Sequence, residues 1–505
     1  MTRKPALILC LIGSCLVQLI VVASSHAIPA FSRAYKVECS TCHTIYPELN
    51  EYGEAFLKNS YVYFGKGQKA AKAKEAPPTP KATAKPAGGT MEVKGEGDAD
   101  KLSKLKGGAL GAPEASAPAP AQEAAATAPD TAPGGEAKPE GLLLAAIPEL
   151  LPISFTASIH ATYDHNAVNE LDLSTRALKL NAGGNFREKA AFFATYVAYS
   201  EGLRDNNTTT SAPLRNNGTD INELFVIWRH AFDTPINFKV GRMQPKLGLW
   251  KSNNKLSTTN SFAPYAYTVG VSEFKLEQPQ DALEANAVLA NRFFVAAGVV
   301  NRKDQNTKEG YGHISYKFGG ADYLANEPEV DLAKEESIFD FLTVTVGAYG
   351  YYGKNGTPNT PTGVSPPIQN SYYRAGADLD ILYKLFRLRV AGVLGKDDNA
   401  YLNLSSTPIE LKSYVAAVEG EYTFLQNLIG ALRFEYQDDG RGLVRRFIPT
   451  LAYAPLQNVK IALEYKHEIV TSYRFPSNGS SIKRPDDTAQ DITNKIGTLG
   501  VTFSF

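Results

Sequence analysis

The feature that most restricts how this chain can fold is a period of two running through residues 151–505. In Val459-Lys460-Ile461-Ala462-Leu463-Glu464-Tyr465-Lys466 the odd positions are apolar and the even ones mostly charged. Phe386-Arg387-Leu388-Arg389-Val390 and Leu432-Arg433-Phe434-Glu435-Tyr436 repeat the pattern. Successive side chains of a strand point to opposite faces, so each segment has one apolar face and one wet face. Composition agrees: 26 Tyr, 24 Phe and 41 Gly against 2 Trp and 4 Cys suit a large antiparallel β protein. A soluble sandwich would show the same alternation with its polar face outward. The pattern continues through Leu499, Val501, Phe503 and Phe505, the last residue of the chain. The expected fold is all-β, a 16-stranded antiparallel transmembrane β-barrel over residues 141–505, with lipid outside and a water-filled lumen inside.

The count of sixteen comes from parity. Both ends of such a barrel lie on the short-turn side, with long loops on the other. Long loops are expected near 203–219, 249–280, 355–369, 396–408 and 471–492, and short turns near 187–188, 232–234, 425–427 and 455–456. The connection at 319–339 is anomalous for the short-turn side and suggests a short helix at 331–339. Residues 249–280 form the third external loop, which in porins commonly folds inward. Arg242, Lys246, Lys251 and Lys255 gather at its entry, where they would favour anions or stand as an ordinary solvated basic patch.

The other end of the chain carries different chemistry. Residues 1–27 read as a secretory signal: Arg3 and Lys4, an apolar run over 5–23, then small-residue sites ending at Ala23 or Ala27. A lipoprotein signal ending at Cys15 is the alternative. Cleavage leaves only Cys39 and Cys42, and they stand in Cys39-Ser40-Thr41-Cys42-His43, the C-x-x-C-H of covalent haem attachment. Two thiols one turn apart can each add to a haem vinyl group, and His43 is then placed as an axial iron ligand. A redox disulfide is the competing reading, and export together with the register of His43 favours haem. One haem c is expected, held in a small segment at 28–65.

Within that segment, Pro47 suits the first position of a helix. Leu49, Tyr52, Gly53 and Phe56 then form one apolar stripe, with Gly53 admitting close approach of something flat. The stripe is expected to cover the haem. The sixth iron position is unassigned: Met91 is a candidate lying in low-complexity sequence, and His160, His165, His230, His313 and His467 lie in the barrel. Residues 66–140, rich in Ala, Pro, Lys and Gly, are expected to be a disordered linker. A coil of ~75 residues has a root-mean-square span of about 45–50 Å. Equal numbers of basic and acidic residues, 52 each, give no nucleic-acid footprint.

Ile28-Pro29-Ala30-Phe31-Ser32-Arg33-Ala34-Tyr35, the C-x-x-C-H, Tyr46-Pro47-Glu48-Leu49-Asn50 and Gly53-Glu54-Ala55-Phe56 together resemble the N-terminal monohaem segment of fused cytochrome–porins. These are outer-membrane proteins of iron-oxidising and metal-respiring bacteria. The terminal phenylalanine likewise resembles the assembly signal of bacterial outer-membrane barrels. The likeness implies an electron-transfer protein, an Fe(II) oxidase or a metal reductase, with periplasmic c-type cytochromes on one side and metal ions or minerals on the other. It implies an outer-membrane location, with the haem segment periplasmic or inside the pore, and a barrel of a kind that often forms homotrimers. Two readings stand beside it: a diffusion porin with an accessory haem module, and a sheath for a separate multihaem cytochrome.

Overall fold

A computed structural model describes residues 37–61 with Phe31 and Tyr35, and residues 153–504 apart from 169, 187–188, 201–219, 251–255, 258–261, 270–275, 302–307, 327–336, 357–368, 403–407, 441, 475–483 and 486–490. The expected signal, the linker, Met91, Lys251, Lys255 and Phe505 therefore lie outside the described residues.

Sixteen long strands and one two-residue strand make a single sheet closed on itself. In chain order they are β1 (Ile153–Asp164), β2 (Leu171–Phe186), β3 (Ala190–Ser200), β4 (Asp220–Trp228), β5 (Ile236–Met243), β6 (Gln280–Leu289), β7 (Phe293–Asn301) and β8 (Lys308–Phe318). They continue as β9 (Leu342–Gly356), β10 (Gln369–Tyr383), β11 (Phe386–Leu402), β12 (Pro408–Leu425), β13 (Leu428–Asp438), β14 (Gly442–Leu456), β15 (Val459–Arg474), the short β16 (Arg484–Pro485) and β17 (Ile492–Ser504). Long strands adjacent in sequence pair antiparallel, β15 with β17 past the short β16, and β1 pairs with β17 from Thr156↔Ser504 to Asp164↔Ile496. Closure leaves no long strand with an unpaired edge, so the backbone donors and acceptors of the wall are used within it.

The alternation read from the sequence maps onto the two faces of the wall. Leu432, Phe434 and Leu463 are about half exposed on the outside, while Arg433, Glu435 and Glu464 between them are buried inside. Aromatic residues line both rims of the outer face, with Tyr352, Tyr373 and Tyr414 on one and Phe386, Tyr422 and Phe424 on the other. This is a surface for hydrocarbon bounded by interfaces, and a charged interior. No helix among the described residues is long and apolar enough to cross a membrane.

The connections follow the expected parity. Short turns separate β2 from β3, β12 from β13 and β14 from β15, and the β5–β6 connection is long. The loop expected at 396–408 is shorter than read, because β11 runs on to Leu402 and β12 starts at Pro408. The β8–β9 connection holds a helical turn at Ile338–Phe341, later than the 331–339 expected and sharing only Ile338 and Phe339 with it; Ser337 caps it, with Asp340 returning the bond, and residues 331–336 lie outside the described residues.

An outward arginine should be costly where a lumen change is not. In refolding titrations into lipid vesicles, Leu463→Arg is expected to lose about 2–4 kcal/mol. Thr162→Ala, on the lumen face of β1, should stay within about 0.5 kcal/mol.

Candidate functional site

The C-x-x-C-H motif forms a single tight turn. Cys39–Thr41 is a 3-10 helix, and the amides of Cys42 and His43 both donate to the Cys39 carbonyl, at 3.1 and 3.0 Å. Both cysteines are free thiols on this one turn, Cys39 buried and Cys42 partly so. Burial, with Cys39 alongside, pushes the Cys42 thiol up to about 11. His43 is held from the other side: its Nδ1 lies 3.2 Å from the Glu48 carbonyl oxygen. A carbonyl can only accept, so Nδ1 carries the proton and Nε2 carries the lone pair. Burial lowers the His43 pKa to about 4 against the pull of the Glu48 and Pro47 carbonyls, so the ring is neutral at neutral pH. Neutral imidazole with Nδ1 tied to a carbonyl is the form that ligates iron through Nε2. Two thiols on one turn and that imidazole fit a covalently bound haem c.

Helix α1 (Glu51–Lys58) follows. It begins later than Pro47 suggests, because Asn50 is the cap: its side chain accepts from the Gly53 amide at 2.9 Å. Gly53 has a different use from the one expected. A Cβ there would lie 2.0 Å from the Cys42 carbonyl oxygen, so the close approach it admits is by the backbone of the C-x-x-C-H turn itself. Phe56 packs edge-on against Phe31, Tyr35 and Tyr61, and Tyr61 stacks on Phe193 of β3 at 5.5 Å. At Phe56 the stripe covers protein.

The whole turn-and-helix unit is tied to the inner wall at the short-turn end. Glu48 forms ion pairs with Arg389 and, at 3.5 Å, with Arg387, both on β11. Arg387 is oriented by Asp380 through bonds of 2.9 and 2.5 Å, and Arg389 by Glu421 at 2.8 Å. Around this pair, Cys39 N donates to Gln457 Oε1 at 3.1 Å, Tyr46 Oη lies 3.1 Å from Thr156 Oγ1, and Lys317 pairs with Glu51 at 2.9 Å. The anomalous β8–β9 connection completes the seat. Asp322 folds residues 322–326 by accepting from the Leu324 and Asn326 amides, and Tyr323 receives Asn59 on its carbonyl and Lys58 over its ring at 3.9 Å.

The β5–β6 connection enters the lumen from the other end, as expected for a constriction loop. Leu249 N and Tyr265 Oη both donate to Asp378 Oδ2 at 2.7 Å, Ala263 N donates to Glu435 at 3.1 Å, and Lys460 Nζ donates to the Leu256 carbonyl at 3.0 Å. Its helical turn α2 (Ala263–Ala266) lies against β11–β13. Ile45 of the N-terminal segment and Leu256 of this loop share one buried apolar cluster. Of the entry cations, Lys246 donates its amide to Glu284 at 3.3 Å. Met243, His160 and His313 are buried, His230 sits in a turn with φ +47°, and among the described residues no group of three or more His, Cys, Asp or Glu could hold a metal ion.

Sequence reasoning singled out Cys39, Cys42 and His43, which the structure sets on one turn, but missed Glu48, Arg387, Arg389, Gln457 and Tyr323. The only signal was the arginine pair alternating inward on one strand.

No protein-family model and no curated protein matches the chain. Among solved structures, the chain is similar to the outer membrane channel DcaP of Acinetobacter baumannii, at 10% identity and TM-score 0.45, covering 70% of this chain and 97% of that one. OmpT, an outer membrane protein of Vibrio cholerae, is similar at 11% identity and TM-score 0.44, with 70% and 97% covered. An anion-selective porin from Comamonas acidovorans is similar at 10% and 0.44, with 70% and 99% covered.

The seat depends on Glu48 being ionised. Burial raises its pKa, and Arg389 and Arg387 outweigh that and hold it below the usual carboxylate range. Its stabilising effect is therefore complete at neutral pH and lost only as pH falls through that depressed value. Glu48→Gln leaves two arginines without this partner and should weaken the docking of residues 37–61 by about 3–5 kcal/mol. Limited proteolysis at pH 7 checks it, with migration of the unheated barrel on a gel as the control for folding.

Proposed function

We propose that the chain is an outer-membrane porin-cytochrome that moves electrons across or at the membrane through one covalent haem c. Cys39 and Cys42 would tether the haem, and His43 would hold the iron through Nε2. The observation that carries the reading is the double use of Glu48: its carbonyl fixes the His43 tautomer while its carboxylate fixes the same turn to β11. A haem held there supplies reversible one-electron transfer. The protein's residues orient the imidazole, keep it neutral and restrict water around the turn.

With the short-turn end taken as periplasmic, the haem motif lies at the periplasmic mouth, within reach of periplasmic c-type cytochromes. The far face is about 25 Å away across the apolar band, so the external partner must come into the lumen or act through a further carrier. The resemblance to fused cytochrome–porins supports iron or another metal as that partner. A diffusion porin with an accessory haem is less well supported, because two internal segments tied to the wall occupy the lumen. They leave a sheath for a separate cytochrome little room.

Outer-membrane fractions from cells equipped for haem attachment should show a sharp reduced-minus-oxidised haem c band and a covalent haem stain. Both should disappear in Cys42→Ala with the barrel still folded. An unchanged spectrum in that variant, or no covalent haem in the wild type, would falsify the cytochrome reading. In planar bilayers, wild-type conductance should be well below that of Glu48→Gln.

A further inference from the structure

On the inner wall, His313 of β8, Tyr349 of β9 and Asp378 of β10 are each more than nine-tenths buried. Both ring nitrogens of His313, Tyr349 Oη and Asp378 Oδ1 make no hydrogen bond. Enclosed polar atoms without partners are unfavourable, and several on one patch of wall call for a ligand. Two of them meet over Gly347. This residue alternates with the buried Thr345 and Tyr349 on the lumen face of β9, and in register it lies between Ser315 of β8 and Asp378 of β10. A Cβ there would stand 2.0 Å from Asp378 Oδ1 and 3.3 Å from His313 Nε2. The two atoms reach from the strands on either side into the space the glycine leaves, without hydrogen-bonding to each other.

Both groups are held in place. Asp378 Oδ2 accepts from Leu249 N and Tyr265 Oη of the constriction loop, each at 2.7 Å, which leaves Oδ1 to the gap. The His313 ring packs against Phe294 at 5.9 Å. A carboxylate with one oxygen hydrogen-bonded and the other open, beside an imidazole nitrogen, is the usual dress of a metal ligand pair. An anion in the same gap would meet the carboxylate. Lys58 and Lys246 are the cations whose charge reaches both groups. Lys58 is ion-paired with Glu54 and lies over the Tyr323 ring, and Lys246 is engaged as well, so neither opposes a cation with a bare charge.

We infer that His313 Nε2 and Asp378 Oδ1 bind one divalent first-row transition-metal ion in the space over Gly347. Nitrogen and carboxylate oxygen bond such ions at about 2.0–2.2 Å, so one ion bridges two atoms that are close but not in contact. Binding at Nε2 leaves the ring proton on Nδ1. Only two of the usual metal-binding side chains meet here, so water completes the coordination. The Tyr349 hydroxyl, over Gly376 and two residues along β10 from Asp378, is placed to bond that water. The carboxylate that bonds the ion also holds the constriction loop, so loop and ion stabilise each other. The inference rests on the wall and that loop and not on the haem.

The test uses full-length protein in detergent micelles, stripped with a chelator and dialysed against Zn(II), with bound zinc counted by elemental analysis. A Cys39→Ala, Cys42→Ala double variant is the background, so that neither haem nor thiol contributes. One saturable equivalent of zinc per chain is expected. His313→Phe and Asp378→Asn should each abolish it, with unheated gel migration showing an intact barrel. Gly347→Ala keeps both ligands but fills the gap, and should abolish it too. Tyr265→Phe removes one bond that orients the carboxylate and should weaken binding about 10–100-fold. Two outcomes overturn the site: no saturable zinc in the folded background protein, or an equivalent that survives in both the His313 and the Asp378 variants. Haem stain on wild type tests the cytochrome reading separately, since the zinc is measured without the thiols.

Discussion

The buried ion pair between Glu48 and Arg389 is the interaction on which the inner architecture depends. Neither charge could be enclosed alone, since an unpaired ion inside a protein costs several kcal/mol. Arg389 is essentially unexposed and Glu48 is 1% exposed, so each justifies the burial of the other. Their surroundings continue the logic: Asp380 fixes Arg387, Glu421 and Glu419 flank Arg389, and Glu419 also faces Arg433. The charged inner wall, which a water-filled pore would leave to solvent, serves here as a template for a short peptide.

That template gives a 25-residue segment, 37–61, what its own size denies it. A piece this short cannot bury enough apolar surface to hold a structure unaided. It borrows a core instead, through Phe56, Tyr61 and Phe193 on one side and Ile45 with Leu256 on the other. The constriction loop borrows in the same way, setting Trp250 and Phe262 against the wall arginines Arg389 and Arg433. The two internal elements meet and brace each other.

Much of the wall was legible in the sequence, because alternation is a local signal that a strand must obey. Leu432-Arg433-Phe434-Glu435 states its two faces without reference to any other strand. Parity then gave the number of strands, since loop length separates the two ends. The cysteine and histidine spacing is equally local, and the structure sets all three residues on one turn. What failed was local structure set by partners elsewhere. Pro47 looked like a helix start, yet Asn50 takes the cap and the turn before it is shaped around Glu48. Gly53 looked like room for a ligand and is room for a carbonyl. The pairing of Glu48 with Arg389 spans 341 positions and has no local trace at all. The 319–339 connection was visible only as an irregularity, because its purpose, holding Lys58 and Asn59 through Tyr323, belongs to the docked segment.

The closure between β1 and β17 carries a consequence for the order of maturation. The wall that receives residues 37–61 is drawn from β1, β3, β8, β11 and the turn at Gln457, and it exists as a surface only after the last strand has joined the first. The segment is synthesised hundreds of residues before its seat is finished. Once seated, the Cys39 amide is bonded to Gln457 and the residue itself is 6% exposed, which leaves little access for any enzyme to that thiol. On the proposed reading, haem attachment at Cys39 belongs to the interval before the barrel closes around the segment. The pace of strand assembly sets how long that interval lasts.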